Sequence, residues 1–266
     1  MTRVAVVGHV EWVDFVCVAR YPARGEVVHA ERAFTHAAGG GVVAAAVLAE
    51  LGAEVDFFCA LGRDDNGSAA AAELADRGVI VHAAWREQPT RRVVTLLEED
   101  GERTIVTIGE RLEPTGDDEL DWEQLEHVDG VYFTAGDAGA AAQARKARVL
   151  VGSPRAREAL DGHGGAIDAL VFSASDEGER RWAPRLERHT RLMVQTEGAR
   201  GGRWWGESRG RWRAAPPPGK PRDAYGCGDS FAAGLTFGLA RGLSVADAAV
   251  TGAQCGARML TLEGAP

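Results

Sequence analysis

Short runs of consecutive apolar residues alternate with alanine-rich stretches along most of this chain. Val4-Ala-Val-Val runs apolar at every position and stops at Gly8, the pattern of a strand buried on both faces. Residues 13–18 and 26–34 read as further strands, separated by the turn residues Tyr21-Pro-Ala-Arg-Gly25. Ala38-Gly-Gly-Gly41 leads into an alanine-rich helix over 42–51 that stops at Gly52. A buried strand over 55–60 follows, then a helix over 67–77 ended by Gly78. Strands and helices taking turns predict a mainly parallel sheet covered on both faces.

The period then changes. Residues 91–98 and 103–108 are rich in β-branched side chains and meet around Asp100-Gly101, a hairpin signal. With the early strands they predict a small second sheet, a lid drawn from about 12–36 and 88–110 of a single 1–266 domain. Buried strands are expected at 128–134, 149–152, 169–173 and 192–196, and Trp204-Trp205 and Trp212 flank a hairpin turn over 206–210. Pro216 to Pro218 form a stiff loop, and 230–242 and 245–261 favour helix.

Composition narrows the function classes. The chain has 266 residues, a net charge of −9 and 45% hydrophobic residues. Such acidity argues against general binding to nucleic acid or an anionic membrane, although a local amide-lined pocket remains open to a small anion. No apolar run is long enough for a bilayer, and the N-terminus lacks signal-peptide architecture. Cys17, Cys59, Cys227 and Cys255 are scattered without metal-type spacing, which fits reduced thiols in a cytoplasmic protein. His9, His29 and His36 likewise lack metal-site spacing.

The densest chemistry lies in Asp223-Ala-Tyr-Gly-Cys-Gly-Asp229-Ser-Phe-Ala-Ala-Gly234. Two glycines bracket a loop just before a helix, whose first amides and dipole make an anion site. Asp229 there has two readings: an N-cap, or a base that takes a proton while the amides hold a phosphoryl group. The segment resembles the C-terminal signature of ribokinase-like (PfkB-type) carbohydrate kinases. Both aspartates, both glycines, Phe231 and Gly234 match, while Ala224 and Cys227 replace the usual Thr and Ala. The resemblance implies a three-layer α/β/α ribokinase-like domain with a small β-sheet lid. It implies Asp229 as catalytic base, with Gly226, Cys227 and Gly228 supplying the anion hole.

The likeness covers nearly the whole chain. Asp14 matches the aspartate that grips sugar hydroxyls in that family, and would otherwise be a solvated loop residue. Gly39-Gly40 resembles the Gly-Gly element where bare backbone approaches the substrate, and would equally serve as a helix-starting turn. Gly62-Arg-Asp-Asp-Asn-Gly67 resembles a structural turn. Thr196, Gly198 and Gly201 resemble the element lying along ATP. The family also implies Mg²⁺, a monovalent cation such as K⁺ at Asp223 and the Tyr225 carbonyl, and a homodimer formed through the lids. A P-loop, a protein-kinase motif set and a dinucleotide-binding glycine pattern after the first strand are all missing from the sequence.

Three departures bear on the substrate. From Val42 to Leu48 there is no polar side chain, where relatives carry a hydroxyl-binding asparagine. The family's metal-linked Asn-x-x-Glu aligns with Ser173-Ala-Ser-Asp176, which leaves Asp176 either as a ligand through water or as part of a helix cap. Cys227 stands in the anion hole, as apolar filler or as a thiol activated by the helix N-terminus and open to modification. Arg203, Trp204, Trp205, Arg211, Trp212 and Arg213 suggest packing beside nucleotide or core rather than stacking on nucleic acid. Arg91 and Arg92 are either solvated or within reach of an anionic substrate. The expected activity is therefore ATP-dependent phosphorylation of a sugar-like hydroxyl. Fructosamine and nucleoside kinases, and a catalytically weak sugar or nucleotide sensor, are the alternatives.

Overall fold

In the computed structural model residues 1–98 and 102–266 are described; the Asp100-Gly101 turn falls outside them. The chain opens with β1 (Arg3–Val7), β2 (Glu11–Val18), β3 (Arg32–Ala38), α1 (Gly40–Glu50), β4 (Glu54–Gly62), α2 (Asp65–Asp76) and β5 (Val79–Arg86). Next come β6 (Arg92–Glu98), β7 (Arg103–Ile108), β8 (Gly130–Phe133), α3 (Ala138–Ala144), β9 (Leu150–Gly152) and α4 (Arg157–His163). β10 (Ile167–Ser173), α5 (Glu177–Leu186), β11 (Thr190–Thr196), β12 (Gly202–Gly206), β13 (Gly210–Trp212), α6 (Cys227–Ala240) and α7 (Val245–Met259) complete it.

The main sheet has the order β13-β12-β11-β10-β9-β8-β1-β4-β5. All pairs from β11 to β5 are parallel, and β12 and β13 add an antiparallel edge. β1 lies near the middle, where Val4, Ala5, Val6 and Val7 are fully buried. Burying each valine there contributes roughly 1.5–3 kcal/mol. Successive residues point to opposite faces, so Val4 and Val6 join a core with α1, α2, α6 and α7. Ala5 and Val7 join a second core with α3, α4 and α5. The result is a three-layer α/β/α arrangement.

A smaller sheet has the order β3-β2-β6-β7, with β2 and β6 parallel. Its inner residues Val13, Phe15, Val93 and Leu97 pack with Val43, Tyr225 and Ala265. The strand expected over 26–34 instead starts at Arg32 and runs to Ala38. Val27 is 86% exposed, while stacking of Phe34 on Phe15 and pairing of Phe34 with Phe15 set the register further along. Asp64 caps α2 through the Gly67 amide and also accepts from the Thr90 amide and hydroxyl, which ties α2 to the start of β6. Among the described residues no helix is long and apolar enough to cross a membrane.

Candidate active site

Parallel strands deliver their carboxyl ends to one edge of the sheet, where open α/β folds place their ligands. His9 follows β1, Arg155 follows β9, Ser173 ends β10 with Asp176 just beyond it, and Gly198 to Gly201 follow β11. α6 starts beside them. Gly226 caps α6 with φ +70°, a left-handed conformation that side chains rarely adopt, and a Cβ there would press on Val43 at 3.0 Å. The Cys227 amide makes only a long 3.5 Å contact with the Ala224 carbonyl, and the space in front of Gly228 is open.

Asp229 sits in the first turn of α6 and is 6% exposed. Tyr132 Oη donates to its Oδ1 at 2.9 Å, and an Arg155 guanidinium nitrogen donates to its Oδ2 at 3.1 Å. Arg155 Nε also donates to Glu179 at 2.9 Å, and Glu179 in turn accepts the Ser173 amide at 2.8 Å. Asp229's negative charge pushes the Arg155 pKa up, so the guanidinium stays charged. Burial, reinforced by Asp229, pushes the Tyr132 phenol up and keeps it a donor. Burial raises the Glu179 carboxyl against the pull of Arg155.

Two glycines at the start of α1 line this region, Gly39 against His9 and Glu11 and Gly40 against Asp229. Gly39, at φ +95°, donates its amide to the Tyr225 hydroxyl at 3.2 Å. A Cβ on Gly40 would lie 2.9 Å from Asp229 Oδ1. The backbone therefore approaches Asp229 as closely as a glycine permits.

Not every expected residue gathers here. Asp14 accepts from Thr35 Oγ1 at 2.7 Å and from Arg92 at 3.0 Å. Strand alternation turns it away from the face that carries Val13 and Phe15. Glu11, three residues earlier, shares their face, and its Cγ lies 3.4 Å from where a Gly39 Cβ would stand. Glu11 is raised by burial, pairs with Arg91 at 3.3 Å and feels the charge of Asp229. Beside it His9 is buried, and burial together with Arg111, Arg155 and Arg91 drives its pKa down to about 3.

Asp176 is exposed and caps α5 through the Glu179 amide at 2.9 Å; the buried carboxylate of that segment is Glu179. Asp223 is buried and accepts the Tyr225 amide at 2.7 Å and the Gly264 amide at 2.8 Å, with burial raising its pKa. Thr196 ends β11 in register with Ser173. Gly198 and Gly201, both at positive φ, shape a tight turn closed by the Glu197 amide on the Gly201 carbonyl. The Cys227 thiol departs from the activated reading: burial, then Asp223, pushes its pKa up to about 12. Desolvation outweighs the helix terminus there. Among the described residues no three His, Cys, Asp or Glu side chains gather to hold a metal.

The model of the pfkB family of carbohydrate kinases matches residues 1–159 and 167–265. The chain belongs to that family. An Arabidopsis thaliana ribokinase is 33% identical over 108 residues, 39% of this chain and 28% of that protein. An ATP-dependent ribose-1-phosphate kinase of Halopiger xanaduensis is 31% identical over 141 residues, 51% and 46% of the two chains. The matched segments thus span less than half the length of these curated relatives. The structure of Arabidopsis thaliana ribokinase complexed with ribose and ATP superposes with a TM-score of 0.78 at 21% identity, over 100% of this chain and 95% of that one.

Within this pfkB fold, four residues went unread in the sequence: Tyr132, Arg155, Glu179 and Glu11. Tyr132 looks like one more apolar strand position. The signal for Glu179 was available, because an acid three residues after an N-cap is a recurrent helix start.

Proposed function

We propose that this protein is an ATP-dependent phosphotransferase that moves the γ-phosphoryl group of ATP to a hydroxyl of a small sugar or sugar-like acceptor. The observation that carries this reading is the Asp229 carboxylate, held between Tyr132 and Arg155 at an open helix N-terminus and faced by Gly40. The names of the ribokinase and ribose-1-phosphate kinase relatives support it.

In this mechanism Glu11 and the Gly39-Gly40 backbone orient the acceptor, in the role first expected of Asp14. Asp229 takes the hydroxyl proton as the oxygen attacks phosphorus. Tyr132 fixes the carboxylate's rotation. The amides of Gly226, Cys227 and Gly228 receive the transferring group, and Arg155 moves from Asp229 towards its developing charge. Thr196, Gly198 and Gly201 flank the nucleotide. Exposed Asp176 would hold a Mg²⁺ ion through water, and the chemistry such an ion would supply is neutralisation of charge on the phosphate oxygens. Buried Asp223 and the Tyr225 carbonyl are the groups that would hold a K⁺ ion.

The smaller sheet serves as the lid, and its exposed Ile105, Val106 and Ile108 suit pairing with a second copy. Four free cysteines fit a reducing cytoplasm. The test is an ADP-release assay across pentoses, ketohexoses, fructosamines and nucleosides with Mg²⁺ and K⁺ present. Acceptor-dependent ADP release is expected. Acceptor binding with no ADP release from any of them would replace the kinase with a sensor.

A further inference from the structure

Arg91 occupies an unusual place for a strand-opening arginine. It immediately precedes β6, where its carbonyl accepts the Trp12 amide at 2.9 Å. Its neighbour Arg92 pairs with Asp14 on the opposite face. Arg91 reaches inwards instead, to Glu11 at 3.3 Å, with only about a fifth of its side chain exposed. Its Nε is fully buried and has no hydrogen-bond partner among the described residues, and His9 Nδ1 is in the same condition. A buried guanidinium N–H without an acceptor costs free energy, and an anion meeting the exposed part of this guanidinium would offset part of that cost.

The surroundings narrow that ligand. Arg91, Arg111 and Arg155 all bear on His9 and on Glu11. The His9 ring is neutral and contributes no charge of its own. Arg111 is paired with Glu113, and Arg155 with Glu179 and Asp229. α1 offers no polar side chain from Val42 to Leu48 to read a hydroxyl. Three guanidinium groups thus bear on this end of the pocket, beside the neutral His9 ring. A guanidinium is the side chain best matched to a carboxylate or phosphate.

Spacing completes the picture. Glu11 lies against Gly39 and Asp229 against Gly40, consecutive residues whose Cα atoms are about 3.8 Å apart. One small molecule can therefore touch both Asp229 and the Arg91–Glu11 pair. We propose that the acceptor is an anionic sugar, a sugar phosphate or a sugar acid, whose charged group is held by Arg91 while its free hydroxyl lies at Asp229.

The proposal rests on the kinase reading and is tested separately from it. Ribose, ribose 1-phosphate, ribose 5-phosphate and ribonate are compared as acceptors in the ADP-release assay, and their binding is measured by calorimetry without ATP. One of the anionic acceptors should exceed ribose in kcat/KM by roughly 100-fold, the worth of two good charge-assisted hydrogen bonds. Whether a phosphate ester or ribonate leads identifies the anionic group. R91Q should shrink that ratio about tenfold or more, mainly through KM, with R91K restoring part of it. Its melting temperature and its affinity for an ATP analogue serve as folding controls. Ribose preferred over every anionic acceptor, or an anion-to-neutral ratio unchanged in R91Q, overturns the proposal. If no acceptor is phosphorylated, the kinase reading fails, and calorimetry still decides: Arg91-dependent binding of an anionic sugar supports the site, and equal binding of ribose and its anionic counterparts refutes it.

Discussion

Replacing Gly40 with alanine tests the site at its tightest point. The new methyl would lie 2.9 Å from Asp229 Oδ1, 3.1 Å from Cγ and 3.2 Å from Oδ2. A relaxed carbon–oxygen contact needs about 3.3–3.6 Å, so the carboxylate must shift by several tenths of an ångström. It cannot do so freely, because Tyr132 holds one oxygen and Arg155 the other. The backbone itself accepts alanine, since Gly40 opens α1 and is not among the positive-φ glycines. Overpacking costs about 1–3 kcal/mol, and alanine's better helix propensity returns about 1 kcal/mol. The net loss of about 0–2 kcal/mol corresponds to a Tm drop of under about 8 °C for a chain of this size. Activity suffers more, because misplacing a catalytic group by about 1 Å costs about 100-fold. G40A should therefore lose about 10- to 100-fold in kcat while melting nearly normally and binding an ATP analogue as before. The measurements are ADP release, thermal unfolding and nucleotide calorimetry. A kcat within twofold of the parent would show that Gly40 and Asp229 do not meet at the reacting centre.

Three further outcomes follow from the same contacts. R155Q should lower kcat by about 100-fold with little change in the KM for ATP, as expected for a donor acting on the transition state; steady-state kinetics in both substrates reads this. His9 has a folded pKa of about 3 against an ordinary value of 6.5, so between those values the unfolded chain binds a proton that the folded chain refuses. Stability then falls as pH drops below 6.5, by about 2 kcal/mol at pH 5 from this group. In paired urea titrations at pH 7 and pH 5 that component should be missing from H9Q. Cys227, with its thiol pushed up to about 12, should resist iodoacetamide at pH 7.5, and C227A should remain active; rapid labelling with loss of activity would restore the activated-thiol reading.

What the sequence disclosed, and what it hid, divides along the range of the interactions. The α6 start was legible because Gly226, Gly228 and Asp229 are neighbours at one helix start, where glycine backbone freedom and a helix terminus act locally. The parallel core was legible from all-apolar runs such as Val4 to Val7. Tyr132 of β8 and Arg155 after β9 meet Asp229, and Glu179 of α5 meets Arg155, only because the sheet order places those elements side by side. No spacing in the chain encodes that meeting. Glu11 and Asp14 differ for another reason: strand period settles that they face opposite ways, but which face looks at the glycines is set by packing on Val43 and Tyr225. Val27 and Val28 are β-branched but exposed and lie outside β3, so β-propensity alone overextended that strand towards the N-terminus.

The central claim is that Asp229 is the base for phosphoryl transfer, and single-turnover transfer from γ-labelled ATP in D229N tests it most directly. The transfer rate should fall by about 100- to 10,000-fold, the usual worth of a general base, with ATP-analogue affinity and Tm close to those of the parent. Transfer at a near-normal rate in D229N would contradict it.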